Sequence, residues 1–273
     1  METYSEHIAF LTQKAFAVRR ETIRLHGLFP ETRLASSLSA VEIFVSLYYG
    51  GLLRFDPQNP AWEQRDRLIV SKGHGGIALY PILADLGFFA KAELETIAQP
   101  GSRFGSIPDC GIPGFETING SLGHGLGVAA GMALGLQAKR NPANVFVVLG
   151  DGELSEGSVW EALMFAGHHH LHNLTAIIDC NKISMLGYCK NTIDLEPLEQ
   201  KFAVFGWEAH RVDGHDVEQL FPCLQRLKSN KTNKPQVLVA DTVKGKGVPQ
   251  LEGQPLCHVK SLSKAEVAQL LEA

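Results

Sequence analysis

A single carboxylate between two glycines, Gly150-Asp151-Gly152, lies just past an apolar run, Asn144-Val-Phe-Val-Val-Leu149. A second oxygen donor, Asn181, follows the next apolar run thirty positions later. A strand–helix–strand unit needs about that length, so the two side chains can end on neighbouring strand tips. Magnesium wants near-octahedral oxygen ligands and takes only a few from the protein, leaving the rest to water and phosphate. One Asp carboxylate, one Asn amide oxygen, a nearby backbone carbonyl and two diphosphate oxygens would suit it. Read alone, Gly-Asp-Gly fits equally well an aspartate capping a helix near 157, with Asn181 in an ordinary turn.

The glycines around this pair favour the ligand. The chain has 27 of them, many in four clusters: SKGHGG (71–76), NGSLGHGLG (119–127), GDGELSEG (150–157) and VKGKG (243–247). Glycine lets backbone approach a ligand closely. One such cluster would read as a tight turn, but four in a chain rich in strand-then-helix signals point to a phosphate or cofactor site.

Elements must bring these loops together. Helical periodicity covers about 5–27. A second helix is predicted to open at the capping signature Ser39-Ala-Val-Glu42 and run to Gly50-Gly51. Helices follow near 76–87 and 91–98, then an irregular stretch over 100–119 and a long Ala/Gly/Leu helix over about 122–139. Ser158-x-x-Glu161 and Ser263-x-x-Glu266 predict two more capped helices, and 216–227 another. Short apolar runs at 68–70, 144–149, 174–178, 207–212 and 236–242 read as strands. Strands of this length separated by helices imply a parallel sheet covered by helices on both faces. No repeat or linker divides residues 1–273, so one α/β domain is predicted. In such sheets ligands sit beyond the carboxyl ends of the strands, and four loops fall there and can converge on one ligand: SKGHGG after 68–70, Gly-Asp-Gly after 144–149, Asp179 to Lys182 after 174–178, and VKGKG after 236–242.

Composition narrows the class. Hydrophobic residues make up 45% and charged residues 20%, an ordinary globular balance. A net charge of −4 gives no reason to expect nucleic acid or an anionic membrane as partner. The five cysteines (Cys110, Cys180, Cys189, Cys223, Cys257) form no C-x-x-C pair, which argues against a disulfide framework or zinc site and suits a reducing cytosol. Without a signal-like or membrane-spanning apolar run, a cytoplasmic location is expected.

The text around Asp151 resembles transketolases. ELSEGSVWEALMFAGHHHLHNLTAIIDCNK after Gly-Asp-Gly is similar to them, as are SKGHGGIALYPILADLGFF, NGSLGHGLGVAAGMALG, FGWEAHRVDGHD and VKGKGV, in the same order. The resemblance implies thiamine diphosphate and Mg²⁺ as cofactors. It implies Asp151, Asn181 and the carbonyl of Ile183 as metal ligands, and contact with the diphosphate for His74 and for Gly152 of the Gly150–Gly152 loop. Gly120, Ser121 and Leu122 would line the cofactor's rings. Ser36, Lys244 and His258 would sit beside the cofactor, with His258 also facing substrate, and His74 and His258 would be catalytic.

Family members normally run to more than twice this length, and a second domain supplies the glutamate that activates the cofactor. The resemblance therefore implies the N-terminal subunit of a split enzyme, active only with a separate chain carrying the pyrimidine and C-terminal domains. Two copies of each chain would form a two-fold heterotetramer. The expected reaction is transfer of a two-carbon ketol unit from a ketose, expected to be phosphorylated, to an aldehyde-type acceptor. Other readings are the alpha subunit of a 2-oxo-acid dehydrogenase, a deoxyxylulose-phosphate-synthase-like enzyme, and a catalytically silent regulatory subunit.

Two positions depart from the pattern. Arg33 stands where transketolases carry a histidine before the second helix, and Ser106 or Ile107 stands where they carry another. Arg33 stays protonated and cannot shuttle protons. It could clamp a carboxylate, sulfonate or phosphate on an unusual substrate, or else pair with a nearby acid and face away. His168, His169, His170 and His172 read as a helix end, where cationic imidazole complements the dipole, more readily than as a metal tract. Glu156 matches a residue at the family's subunit interface.

Overall fold

Each predicted apolar run is a strand in the structure, a computed structural model that describes residues 3–118, 120–185, 187–229 and 232–272. Asn119, the first residue of the second glycine cluster, lies outside the described residues. In chain order the elements are α1 (Tyr4–Leu28), α2 (Leu34–Leu38), α3 (Val41–Tyr48), β1 (Arg67–Val70), α4 (Leu79–Asp85), α5 (Gly125–Ala138) and β2 (Val145–Gly150). Then follow α6 (Gly157–His168), β3 (Leu174–Cys180), α7 (Cys189–Thr192), α8 (Leu198–Val204), β4 (Glu208–Asp213), α9 (Val217–Ser229), β5 (Gln236–Asp241) and α10 (Lys264–Glu272). Short 3-10 segments over Gly73–Ala78 and Gly152–Ser155 lie in the glycine loops, and a third over Lys91–Thr96 stands where a helix is predicted over 91–98.

The sheet runs β1-β2-β3-β5-β4 with all pairs parallel. Period-2 alternation sorts its residues into two cores. Phe146 and Val148 of β2, Ile177 of β3 and Leu238 of β5 face a core shared with α1, α3, α4 and α9. Val145, Val147 and Leu149, with Ala176, Ile178, Val237 and Val239, face a second core with α5, α6 and α8. Burying both faces explains why the strands read as continuous apolar runs. Each large side chain removed from water contributes about 1.5–3 kcal/mol.

Two predicted caps do not form, because tertiary partners take their side chains. Ser39 closes α2 instead of opening a helix. Its Oγ donates to Asp179 Oδ2 at 2.7 Å and to the Ser36 carbonyl at 3.2 Å. Glu42 pairs with Arg19 and with His215. Glu156, not Ser158, is the N-cap residue of α6, and Ser158 Oγ donates to the Gly123 carbonyl at 3.0 Å. Ser263 and Glu266 do form their reciprocal cap at α10, and Thr3 with Glu6 forms another at α1. His168 ends α6 as expected.

Candidate functional site

Register delivers Asp151 and Asn181 to one place. Gly150 pairs with Asp179 across β2 and β3, so Asp151 begins the loop beside the strand whose next turn carries Asn181. Cys180 pairs with Asp241 on β5, which brings the Val243–Gly247 loop to the same edge. The Ser71–Gly76 loop arrives from β1, whose Val70 pairs with Val148. A cleft of about 190 Å³ opens there, and its lining includes Ser36, His74, Leu122, Gly150, Asp151, Gly152, Asn181, Ile183 and Lys244. All nine are predicted site residues. Gly120 and Ser121 are exposed, and neither they nor Arg33 and His258 line this cleft. His258 reaches it through Ser36, whose Oγ lies 3.3 Å from His258 Nδ1.

A larger cavity of about 490 Å³ shares Asp151, Gly152 and Ser184 and is walled by the segment from Tyr188 to Leu198. The smaller cleft carries the imidazole, the amide and the buried ammonium suited to a phosphate, so it is the better match for a phosphate-bearing ligand.

The oxygen donors are held ready. Asp151 accepts from the amides of Lys182 at 2.6 Å and Gly152 at 2.9 Å. Burial, and then the neighbouring Asp179 carboxylate, push Asp151 up to about 6, opposed by those amides. Asn181 Nδ2 donates to Asp179 Oδ2 at 3.2 Å, which turns its amide oxygen the other way, toward the Ile183 amide at 3.2 Å. Lys244 Nζ donates to the carbonyls of Ile183 at 2.8 Å and Ser184 at 3.2 Å. A cation thus already sits on the carbonyl assigned to the metal. Among the described residues no three His, Cys, Asp or Glu side chains cluster as a metal cage. A Mg²⁺ ion here would draw on one carboxylate, one amide and one carbonyl, and would need phosphate oxygens to complete its shell. The donor set fits a metal–diphosphate unit.

The surroundings of His74 and His258 disfavour the charged form of both. Burial first, then Lys72, His258 and Lys244, drive His74 down to about 2. Burial, Lys244, Arg33 and Lys72 drive His258 to about 4. Their rings meet edge to face with centroids 4.9 Å apart. Neither nitrogen of His74 has a hydrogen-bond partner among the described residues, so it offers one donor and one acceptor to a ligand. Burial, and then Lys72, lower Lys244 to about 8.

Under the cleft lie groups that motif reading passed over. Lys72 and Asp179 form a buried ion pair, their side chains 2% and 0% exposed. Lys72 also donates to the Ser36 carbonyl at 2.8 Å, and Thr242 donates to Asp179. Desolvation raises Asp179, but Lys72 and these hydroxyls outweigh it and hold the carboxyl low. Glu153, only 2% exposed, accepts from Ser71 Oγ and from the amides of Gly123 at 2.8 Å and Gly150 at 3.2 Å. One carboxylate therefore ties three glycine loops together. Gly123 sits at φ +83 with its missing Cβ position 2.6 Å from Glu156 Cβ, so only glycine fits. The signal for Glu153 was its place directly after Gly-Asp-Gly, but nothing in the spacing shows that it turns inward.

Fold and cleft together define an α/β domain built to hold a phosphate-bearing cofactor at the carboxyl edge of its sheet. The chain belongs to the transketolase family, matching the transketolase thiamine diphosphate binding domain over residues 34–273. It is 39% identical to a 6-deoxy-6-sulfo-D-fructose transketolase subunit from Clostridium sp. (strain MSTE9), covering 97% of this chain and 98% of that one. It is 36% identical to an apulose-4-phosphate transketolase subunit from Actinobacillus succinogenes, covering 100% and 98%. Against human transketolase the identity is 36%, over 87% of this chain but 37% of that one. The crystal structure of Campylobacter jejuni transketolase superimposes with a TM-score of 0.89 at 29% identity, covering 96% of this chain and 42% of that chain. No helix among the described residues is long and apolar enough to cross a membrane.

Proposed function

We propose that this chain is the cofactor-binding subunit of a split transketolase, active in two-carbon ketol transfer together with a separate chain. One observation carries the reading. The carboxylate of Asp151, the amide of Asn181, the carbonyl of Ile183, the imidazole of His74 and the ammonium of Lys244 meet at a single cleft. Two relatives named as subunits match this chain end to end, whereas it spans 42% of a one-chain transketolase.

Asp151, Asn181 and the Ile183 carbonyl would hold Mg²⁺, and Gly152 and His74 would donate to the diphosphate. Leu122, Gly120 and Ser121 would face the cofactor's rings, with Ser36 beside them. When bound, thiamine diphosphate supplies the carbanion-stabilising centre that ketol transfer needs. The chain's own part is to grip, orient and move protons. His258, oriented by Ser36, can accept or donate a proton at a substrate hydroxyl, and His74 beside it has no hydrogen-bond partner on either nitrogen among the described residues. Arg33 and His258 would face substrate.

We read residues 1–273 as one diphosphate-binding unit whose partner brings the pyrimidine and C-terminal domains. Glu156, exposed in the single chain, would lie at a two-fold contact within a two-plus-two assembly. A cytoplasmic setting is supported by five cysteines that are all free.

Calorimetric titration of thiamine diphosphate with Mg²⁺ into the chain, alone and mixed with its partner, tests the proposal. Tight binding in the mixture that Asp151→Ala abolishes is the expected result. Absence of binding in both would remove the metal–diphosphate reading.

A further inference from the structure

Arginines that are partly buried in this protein have partners. Arg19, Arg24, Arg54, Arg65 and Arg211 donate to carboxylates, and Arg20 and Arg67 to backbone carbonyls. Arg33 is the exception: the residue is half-buried, and its guanidinium makes no hydrogen bond, ion pair or ring contact among the described residues. The alternative of pairing with a nearby acid is therefore not what the structure shows. A guanidinium cannot shed its charge, so one with no acid beside it among the described residues is open to an anion from outside.

Its position says which anion. Arg33 immediately precedes α2, the helix that carries Ser36, and Ser36 touches both the cleft and His258. Arg33 does not line the diphosphate cleft itself. The lysines that do are engaged already, Lys72 by Asp179 and Lys244 by two carbonyls. Ile107, one of the two residues at the other departure from the family pattern, is 39% exposed and has no side-chain group able to bond a hydroxyl.

We propose that Arg33 is a specificity residue that grips an oxyanion carried by the sugar substrate, beside His258 and outside the diphosphate cradle. The inference rests on the ketol-transfer reading. The planar guanidinium fork can give two parallel N–H bonds to a phosphate, a sulfonate or a carboxylate, which a lysine cannot reproduce.

The test uses the chain assembled with its partner and loaded with thiamine diphosphate and Mg²⁺. Substrates bearing a phosphate, a sulfonate or a carboxylate are compared with neutral ones of the same carbon skeleton. Arg33→Gln is expected to lower the charged-over-neutral ratio of kcat/KM by about tenfold to a hundredfold, the worth of one charge-assisted contact. Arg33→Lys should recover part of it, with cofactor affinity unchanged in both, and the anion with the largest loss identifies the natural group. Equal losses on charged and neutral substrates would overturn the proposal, as would weakened cofactor binding in Arg33→Gln.

A second readout does not need turnover. Methyl phosphate, methanesulfonate and acetate are each titrated into the loaded assembly while its melting temperature is followed. At least one should stabilise the wild type and not Arg33→Gln, and shifts that are the same in wild type and variant for all three anions would refute the assignment. A wild type that turns over no ketose at all sinks the ketol-transfer reading, while the melting shifts still decide Arg33.

Discussion

Two charge networks sit at the same edge of the sheet and behave differently. At the floor of the cleft, Lys72, Asp179, Ser39, Thr242 and Asn181 form a buried network. At the β4–β5 side, Arg211 reaches Glu196, Glu199 and Asp241, and Lys182 bridges Glu196 and Asp241, with Arg211 26% and Lys182 50% exposed. The outer network has more ion pairs, yet solvent screens each of them. The inner one has a single pair whose partners have nowhere else to place their charge. A buried pair is weak evidence for stability in itself; its value here is positional, since Asp179 orients Asn181 and Lys72 holds the Ser36 carbonyl.

The sharpest way to break this comparison is to remove half of the inner pair. Lys72→Met leaves Asp179 charged and buried, and should cost about 3–5 kcal/mol in denaturant unfolding. Adding Asp179→Leu should restore much of that stability while cofactor binding stays lost, because Asn181 is no longer oriented. A loss below about 1 kcal/mol for Lys72→Met would show that the pair is not sealed.

A buried group outside both networks gives a control with a defined sign. His26 is fully buried, its Nε2 accepting from the Leu262 amide at 3.1 Å, and burial lowers it from 6.5 to about 4. The unfolded chain then binds this proton before the folded one does. Stability is present in full above about pH 6.5 and falls as pH drops toward about 4, by roughly 3 kcal/mol at most. Unfolding measured across that window should show the slope, and His26→Gln should flatten it.

Glu153→Ala should cost about 2–3 kcal/mol, because two amides and the Ser71 hydroxyl lose their acceptor. It should also weaken cofactor binding, since the Ser71, Gly123 and Gly150 loops come apart, whereas Glu153→Gln should retain most of both. Unchanged cofactor affinity in the alanine variant would confine Glu153 to a packing role. The smallest effect belongs to the outer network: Arg211→Ala should change stability by no more than about 1 kcal/mol, and salt at about 1 M should erase the difference.

Much of this was legible from residue order alone. The five strands, the two-sided cover, the four loops at the carboxyl edge and the pairing of Asp151 with Asn181 follow from apolar periodicity and from the length of a strand–helix–strand unit. These are local or short-range regularities, and they do not depend on which distant residues come near. The caps at Ser39 and Ser158 were misread because a hydroxyl's hydrogen-bond partner is chosen by whatever packs against it, and here Asp179 and Gly123 outcompeted the helix ends.

The tertiary structure alone decided the rest. It turned Glu153 and Lys72 inward, placed an ammonium on the Ile183 carbonyl and, among the described residues, left both nitrogens of His74 without a partner and Arg33 without an acid. Such outcomes depend on desolvation and on contacts between residues far apart in the chain, as with Lys72 and Asp179, 107 positions apart. The sequence by itself determined which side chains arrive at the sheet's edge, through strand order and register. Burial and long-range pairing determined which of them remain available to a ligand.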